Sequence, residues 1–301
     1  MLDYLGGNNM TWAEEKVTKK KSTTPTKELM RGSRDNTKYP KVIPTGMKGF
    51  DKLIIEPKSD PPKGGLPLGR GKITILAGNP GSGKTIFLAN LAAKLLKDGK
   101  SFMYVTFERD GNEFVGIVDI VYNNIYDEEC PVENIYFLDY FCSYFGDAQI
   151  KVVADKAREF YTKTKSPFIA IDSITEMAKM ETTLRFVMKN LQKELFNTGL
   201  ELAVIGVSQF RGTWDKGVAG GKGMSHKADV VVNIETAKVD RWNREFYPWL
   251  EIGDLYRSIS VMKTAGYSHS LHQYPMIIEE SGQVIISDDP LSILANKTKV
   301  D

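Results

Sequence analysis

A glycine-rich octapeptide carries the strongest chemical signal in the sequence. It matches G-x-x-x-x-G-K-[ST] at every fixed position and consists of Gly78, Asn79, Pro80, Gly81, Ser82, Gly83, Lys84 and Thr85. Its glycines let the backbone wrap so that several N–H groups point at phosphates, and a following helix adds a favourable dipole. In such a loop the Lys84 ammonium reaches the β- and γ-phosphates, and the Thr85 hydroxyl binds Mg²⁺. The octapeptide therefore predicts a site for a nucleoside triphosphate with Mg²⁺.

Two acidic residues follow apolar runs at points where they could serve this site. Asp172 comes directly after the run 168–171, and ligands of open parallel sheets bind at the carboxyl ends of the strands. It is the predicted second Mg²⁺ ligand. Glu108 follows the run 102–107 and is the predicted general base for an attacking water, if that strand neighbours the strand before the octapeptide. The alternative is that Glu108 is a surface residue at the start of the next helix.

A neutral amide follows a third run. Gln209 comes shortly after the apolar residues 202–207. There it could sense the γ-phosphate or hydrogen-bond the attacking water, and the alternative is a polar turn.

Short apolar runs alternate with helix-length segments from residue 72 onward. The predicted strands are 73–77, 102–107, 135–138, 168–171, 202–207, 230–234, 259–263, 276–279 and 284–286, and the predicted helices are 84–97, 113–124, 148–162 and 180–196. Continuous apolar runs such as FIAI indicate parallel strands covered on both faces. The sequence therefore predicts an α/β fold whose central sheet is mainly parallel and flanked by helices. Beyond residue 237 a polar and aromatic excursion precedes the last three strands, which follow each other closely, as antiparallel strands do.

Charge and composition divide the chain of 301 residues into a basic tail and one domain. The net charge is +2, but residues 16–41 hold nine Lys or Arg and two acids, so this segment carries +7 and the remainder −5. Residues 1–40 lack apolar periodicity and are predicted to be a disordered tail, 41–288 a single domain, and 289–301 a C-terminal tail. No apolar run approaches the roughly 18 residues of a membrane span, and the N-terminus lacks a secretory signal. We therefore expect a cytoplasmic protein without a membrane partner.

Further motifs extend the pattern around the octapeptide. They are Thr45-Gly46, Phe50-Asp51, Gly64-Gly65-Leu66-Pro67, Thr106-Phe107-Glu108, Ile171-Asp172-Ser173, Val207-Ser208-Gln209 and the run from Lys263 to His269. With these motifs in this order, the chain resembles KaiC-like domains of the RecA superfamily, alongside archaeal RadA-type recombinases and DnaB-type helicases. The resemblance covers residues 42–287. It implies a RecA-like core that binds ATP between subunits of a homo-oligomeric ring or filament.

The resemblance also implies a role for Lys263, together with two departures. Lys263 would reach the γ-phosphate of a neighbouring subunit's ATP and neutralise developing charge there. Many KaiC-like domains have Lys-x-Arg-Gly, whereas this chain has Ala265 at the arginine position, so one cation from the neighbour is missing and turnover is expected to be slow. The clock family commonly has a second acid after the residue equivalent to Glu108, and here that position is Arg109.

The segment after Gln209 raises the question of DNA. It is rich in glycine and carries the predicted DNA-binding residues Arg211, Trp214, Lys216 and Lys222. Cations for phosphate and an aromatic ring for base stacking are the ingredients of single-strand binding, although such a loop could equally line a ring pore or contact a protein. Two hypotheses follow: an ATPase acting in DNA repair or recombination, and an ATP-switched scaffold with little turnover that acts through protein partners.

Overall fold

The computed structural model describes residues 39–140, 147–176, 181–209, 227–241, 244 and 250–291. Within these ranges the strands are β1 (Lys41–Ile43), β2 (Ile54–Ile55), β3 (Leu66–Leu68), β4 (Ile73–Gly78), β5 (Phe102–Thr106), β6 (Ile135–Asp139), β7 (Phe168–Asp172), β8 (Ala203–Gln209), β9 (Val230–Lys238), β10 (Leu255–Thr264), β11 (Ser268–His269), β12 (Gln273–Ile278) and β13 (Val284–Ile286). The helices are α1 (Lys48–Asp51), α2 (Lys84–Lys97), α3 (Gly111–Tyr126), α4 (Asp147–Thr164) and α5 (Glu181–Asn197), with a 3-10 turn at Val132–Asn134.

One nine-stranded sheet forms the centre of the described structure, in the order β13-β12-β10-β9-β4-β8-β7-β5-β6. The six strands from β9 to β6 in this order run parallel. Every residue of β4, β5 and β7 is buried, because α2 and α3 pack on one face of the sheet and α4 and α5 on the other. The predicted α/β architecture is confirmed.

Antiparallel strands extend the sheet beside β9. β10 pairs with β9, β12 with β10, and β13 with β12, all antiparallel, as predicted for the last strands. Gly78 at the end of β4 is paired with Ile234 of β9. Arg257 of β10 is paired with Thr236, which lies two residues farther along β9. The extension therefore reaches the end of the sheet where the phosphate-binding octapeptide begins.

The strand order corrects one expectation. β5, which precedes Glu108, is not adjacent to β4, because β8 and β7 lie between them. The condition attached to the expected role of Glu108 is therefore not met, and the reason is physical. Apolar runs reveal that strands exist, whereas their order depends on where each crossover connection returns to the sheet.

The polar excursion is also shorter than predicted. β9 runs on to Lys238 and β10 already begins at Leu255, so both strands extend into the segment that the sequence suggested was irregular. The last residues of β9 and the first of β10 are only half-buried or exposed and therefore lack an apolar pattern.

The two predicted tails fall largely outside the described part of the chain. Of residues 1–40 only 39 and 40 are described, and of residues 289–301 only 289–291. Among the helices that the structure describes, none combines the length and apolar character needed to cross a membrane.

Candidate nucleotide site

The octapeptide forms a tight turn between a buried strand and a helix. β4 ends at Gly78 and α2 begins at Lys84, in the predicted strand–loop–helix context. Gly81 and Gly83 have φ values of 75° and 100°, which favour glycine. Gly83 also packs closely, because a Cβ at this position would lie 2.6 Å from Cδ1 of Ile278 on β12. The antiparallel extension therefore supports the start of α2 from one side.

The Lys84 side chain lies within this turn. Its Nζ donates hydrogen bonds to the carbonyl oxygens of Gly78 (2.9 Å) and Asn79 (2.8 Å). Burial lowers the pKa of the Lys84 ammonium, and the negative charges of Asp172 and Glu108 partly offset this effect. Lys84 and the two acids predicted to act with it are thus electrostatically coupled in the folded chain.

Asp172 is a buried carboxylate at the carboxyl end of β7. Its Oδ2 accepts a hydrogen bond of 2.9 Å from the hydroxyl of Tyr104 on β5. Burial, with a further contribution from the charge of Glu108, raises the pKa of Asp172 to about 6, although the Tyr104 hydrogen bond and the cations Arg109 and Lys84 act in the opposite direction. A metal cation beside this carboxylate would stabilise its ionised form.

Glu108 lies where three strand ends meet. Its Oε1 accepts hydrogen bonds from Ser173 Oγ (2.5 Å), just beyond β7, and from Gln209 Nε2 (3.2 Å), at the end of β8. Glu108 does not start the next helix, because α3 begins at Gly111 and is capped by Asp110. Although β5 is three positions away from β4 in the sheet, Glu108 and Gln209 are in direct contact.

These side chains line a single cleft of about 580 Å³. Of the predicted site residues, the cleft brings together Pro80, Gly81, Gly83, Lys84, Thr85, Glu108, Asp172 and Gln209. Its volume suits a nucleotide-sized ligand. The Thr85 hydroxyl and the Asp172 carboxylate are oxygen donors, and Mg²⁺ typically binds through one or two carboxylates together with substrate phosphates and waters. These residues therefore fit a Mg²⁺–nucleotide complex.

Two arginines in the cleft were not among the predicted site residues. Arg109 follows Glu108, and Arg257 lies on β10 with its Nε 3.9 Å from the position that a Cβ on Gly83 would occupy. The Nε of each is buried and has no hydrogen-bond partner among the described residues. Arg257 was missed because it lies in the segment that the sequence suggested was irregular. Arg109 could have been found from its place beside Glu108.

Tyr104 and Ser173 were also missed. Tyr104 lies inside an apolar strand, where its ring stacks on Phe114 at a centroid distance of 3.7 Å, so it resembles an ordinary core residue. Ser173 directly follows Asp172. The available signals were its hydroxyl beside a predicted site acid and its place in the motif Ile171-Asp172-Ser173.

Lys263 lies outside the cleft, near the opposite end of the sheet. It is paired with Val231 of β9, close to the start of that strand, and its Nζ donates a hydrogen bond to the Ala228 carbonyl oxygen. Burial lowers the pKa of Lys263, partly offset by Asp229. Its expected action on a neighbouring subunit's nucleotide stays a prediction. The predicted DNA-binding residues Arg211, Trp214, Lys216 and Lys222 lie outside the described residues.

Comparison with known proteins gives a consistent picture. A family model described as "ATPase: KaiC" matches residues 43–290. A UPF0273 protein of Thermotoga maritima is 24% identical over 81% of this chain and 96% of its own length, and one of Aeropyrum pernix is 26% identical over 83% and 96%. The circadian clock protein KaiC2 of Synechocystis is 26% identical over 79% of this chain, a match that spans 39% of that longer protein.

Proposed function

The chain belongs to the KaiC ATPase family and is an ATP-binding protein of the RecA superfamily, and we propose that it hydrolyses ATP with Mg²⁺. The observation that carries the proposal is the convergence of Lys84, Asp172 and Glu108 on one cleft, with Glu108 held by two hydrogen bonds. These are the groups that phosphoryl transfer to water requires: a cation for the phosphates, a carboxylate for the metal and a base for the water.

Each residue has a distinct task in the proposed reaction. Lys84 and the backbone of the phosphate loop hold the triphosphate, and Thr85 and Asp172 would hold Mg²⁺, which neutralises phosphate charge when bound. Glu108 accepts a proton from the attacking water while the water oxygen bonds to the γ-phosphorus. The bond from that phosphorus to the bridging oxygen breaks, and ADP and inorganic phosphate leave. Gln209 orients Glu108 through its amide.

The test is steady-state ATP hydrolysis by the full chain. Lys84→Ala serves as the blank, and Glu108→Gln should abolish phosphate release while it leaves ATP binding intact, because the amide cannot accept the proton. Glu113→Gln is the matched control, since Glu113 lies exposed in the first turn of α3. Turnover in Glu108→Gln equal to that of the unaltered chain would refute the assignment of Glu108.

The second candidate is an ATP-switched scaffold with little turnover. It is favoured by Ala265, which removes a cation that many KaiC-like domains have. In a scaffold Glu108→Gln would leave the slow rate unchanged, and ATP binding would alter the assembly state or the capture of a protein partner. The hydrolysis assay therefore separates the two candidates.

Self-association and DNA binding complete the proposal. Lys263 lies near the opposite end of the sheet from its own phosphate loop, which suits a role in a neighbouring copy of a ring or filament. Light scattering with and without Mg²⁺–ATP tests assembly.

Several-fold stimulation of hydrolysis by single-stranded DNA would support repair or recombination and the residues between 211 and 222 as the DNA contact. A rate indifferent to DNA would contradict that role.

A further inference from the structure

Arg109 carries a buried side-chain donor that no described residue accepts. Its backbone is fixed, because Thr106 Oγ1 donates a hydrogen bond of 2.7 Å to its carbonyl oxygen and accepts one of 3.3 Å from its N–H. Its guanidinium Nε is buried in the wall of the cleft and meets no acceptor among the described residues. A buried guanidinium donor that serves stability alone normally has a partner.

The acids nearest to Arg109 in sequence are engaged elsewhere. Glu108 Oε1 accepts from Ser173 and Gln209, and Asp110 Oδ1 accepts from the backbone N–H of Asn112 at 2.7 Å, where it caps α3. Among the described residues, no ion pair or stacked aromatic ring involves the Arg109 side chain. The guanidinium is therefore available to an anion that enters the cleft.

The position of Arg109 indicates which part of the nucleotide it meets. It lies beyond β5, on the side of β4 where Glu108 and Asp172 lie, and its charge acts on Asp172. Arg257 lies on the other side, across β9 and beside Gly83. The arginines thus flank the phosphate loop, and Arg109 is the one on the side of the base and the metal-side carboxylate, where the terminal phosphate reacts.

We propose that the Arg109 guanidinium binds the terminal phosphate of ATP within the same chain and stabilises the charge that develops there during hydrolysis. The inference rests on the proposed function. A guanidinium can donate two parallel hydrogen bonds to phosphate oxygens, which suits this role.

The test compares nucleotides with and without the terminal phosphate. Binding of the β,γ-imido analogue of ATP and of ADP, both with Mg²⁺, is measured by calorimetry for Arg109→Gln, Arg109→Lys and the exposed control Arg70→Gln. Arg109→Gln should weaken binding of the ATP analogue roughly 10- to 100-fold, as for the loss of a charged hydrogen bond, and change ADP binding less than about threefold. Arg109→Lys should recover part of the lost affinity, because it restores the positive charge but not the two parallel N–H donors of the guanidinium.

Three outcomes separate this inference from the proposed function. Equal loss for both nucleotides, or no loss for either, would overturn the assignment of Arg109 to the terminal phosphate. If the unaltered chain binds neither nucleotide better than Lys84→Ala does, the proposed function itself fails. Thermal unfolding of each variant checks its fold, and if Arg109→Gln is unfolded the comparison passes to Arg109→Lys, whose affinity for the ATP analogue should still fall while its ADP affinity holds.

Discussion

The variant Tyr104→Phe, which removes one hydroxyl, would test how the carboxylate of Asp172, the proposed Mg²⁺ ligand, is kept ionised. The Tyr104 ring is fully buried and stacked on Phe114, so phenylalanine can retain the packing. The variant removes the 2.9 Å hydrogen bond from the Tyr104 hydroxyl to Asp172 Oδ2. Because that bond stabilises the charged carboxylate, its loss must raise the pKa of Asp172 further above its ordinary value.

The size of the effect depends on pH. Burial already raises the pKa of Asp172 to about 6. A hydrogen bond to a charged group contributes roughly 1.5–3 kcal/mol, so its loss makes Asp172 at least about tenfold weaker as an acid. The ionised fraction then falls from ~90% to ~50% at pH 7, and from ~50% to ~10% at pH 6. Because a metal binds only the ionised carboxylate, Mg²⁺ affinity should fall roughly twofold at pH 7, roughly fivefold at pH 6 and hardly at all at pH 8.

The assay is a Mg²⁺ titration of binding of a fluorescent ATP analogue at pH 6, 7 and 8. Tyr122→Phe is the matched control, because Tyr122 is also buried but lies on α3 and does not line the cleft. The half-saturating Mg²⁺ concentration of Tyr104→Phe should diverge from that of the unaltered chain as the pH falls. A constant ratio at all three pH values, or no difference at pH 6, would refute the account of Asp172.

Three further predictions concern the same cleft. Gly83→Ala should lower ATP affinity about threefold more than Gly81→Ala, because both replace a glycine at positive φ but only the first adds a close contact, which the terminal Cδ1 of Ile278 can partly relieve; parallel calorimetric titrations would show a reversed order if this is wrong. In the absence of nucleotide, Asp172→Asn should raise the free energy of unfolding at pH 7.5 by about 3 kcal/mol, which is what a rise of the Asp172 pKa from 3.8 to about 6 costs the ionised form. Because the raised pKa makes the folded form hold more protons than the unfolded form, the ionised Asp172 carboxylate destabilises the unaltered folded chain. This destabilisation is full above about pH 6 and disappears towards pH 4. Denaturant unfolding that shows no gain for Asp172→Asn at pH 7.5 would contradict the prediction. Ser173→Ala should reduce kcat about tenfold with KM almost unchanged, because it frees Glu108 without touching the phosphate loop, and a change confined to KM would count against this role.

Local chemistry was predictable from the sequence because local rules govern it. The phosphate loop is contiguous, so its turn and the helix that begins at Lys84 follow from eight residues. Asp172 and Gln209 were also predictable, because the carboxyl ends of parallel strands meet at one edge whatever the strand order. The contact between Glu108 and Gln209 therefore exists although the assumed neighbourhood of β5 and β4 was wrong.

Contacts between distant strands could not be predicted. The bond from Tyr104 to Asp172 requires β5 to lie beside β7, and the approach of Arg257 to Gly83 requires the register of β10 on β9. Neither this strand order nor this register can be predicted from apolar periodicity. The sequence also does not separate chemical motifs from structural ones. Asp51, part of the pattern shared with KaiC-like domains, accepts a hydrogen bond of 2.6 Å from the Thr45 hydroxyl and fixes a turn.

The buried charges in the cleft explain why a bound nucleotide should stabilise the site. Lys84 and Asp172 are each buried enough that burial opposes their charged forms, and Arg109 has a buried donor without an acceptor among the described residues. In isolation these are costs to stability. A triphosphate with its metal removes them together, since phosphate oxygens accept from the cations and a cation sits beside the carboxylate. The site should therefore gain more from the ATP complex than from ADP, which leaves Arg109 unmatched.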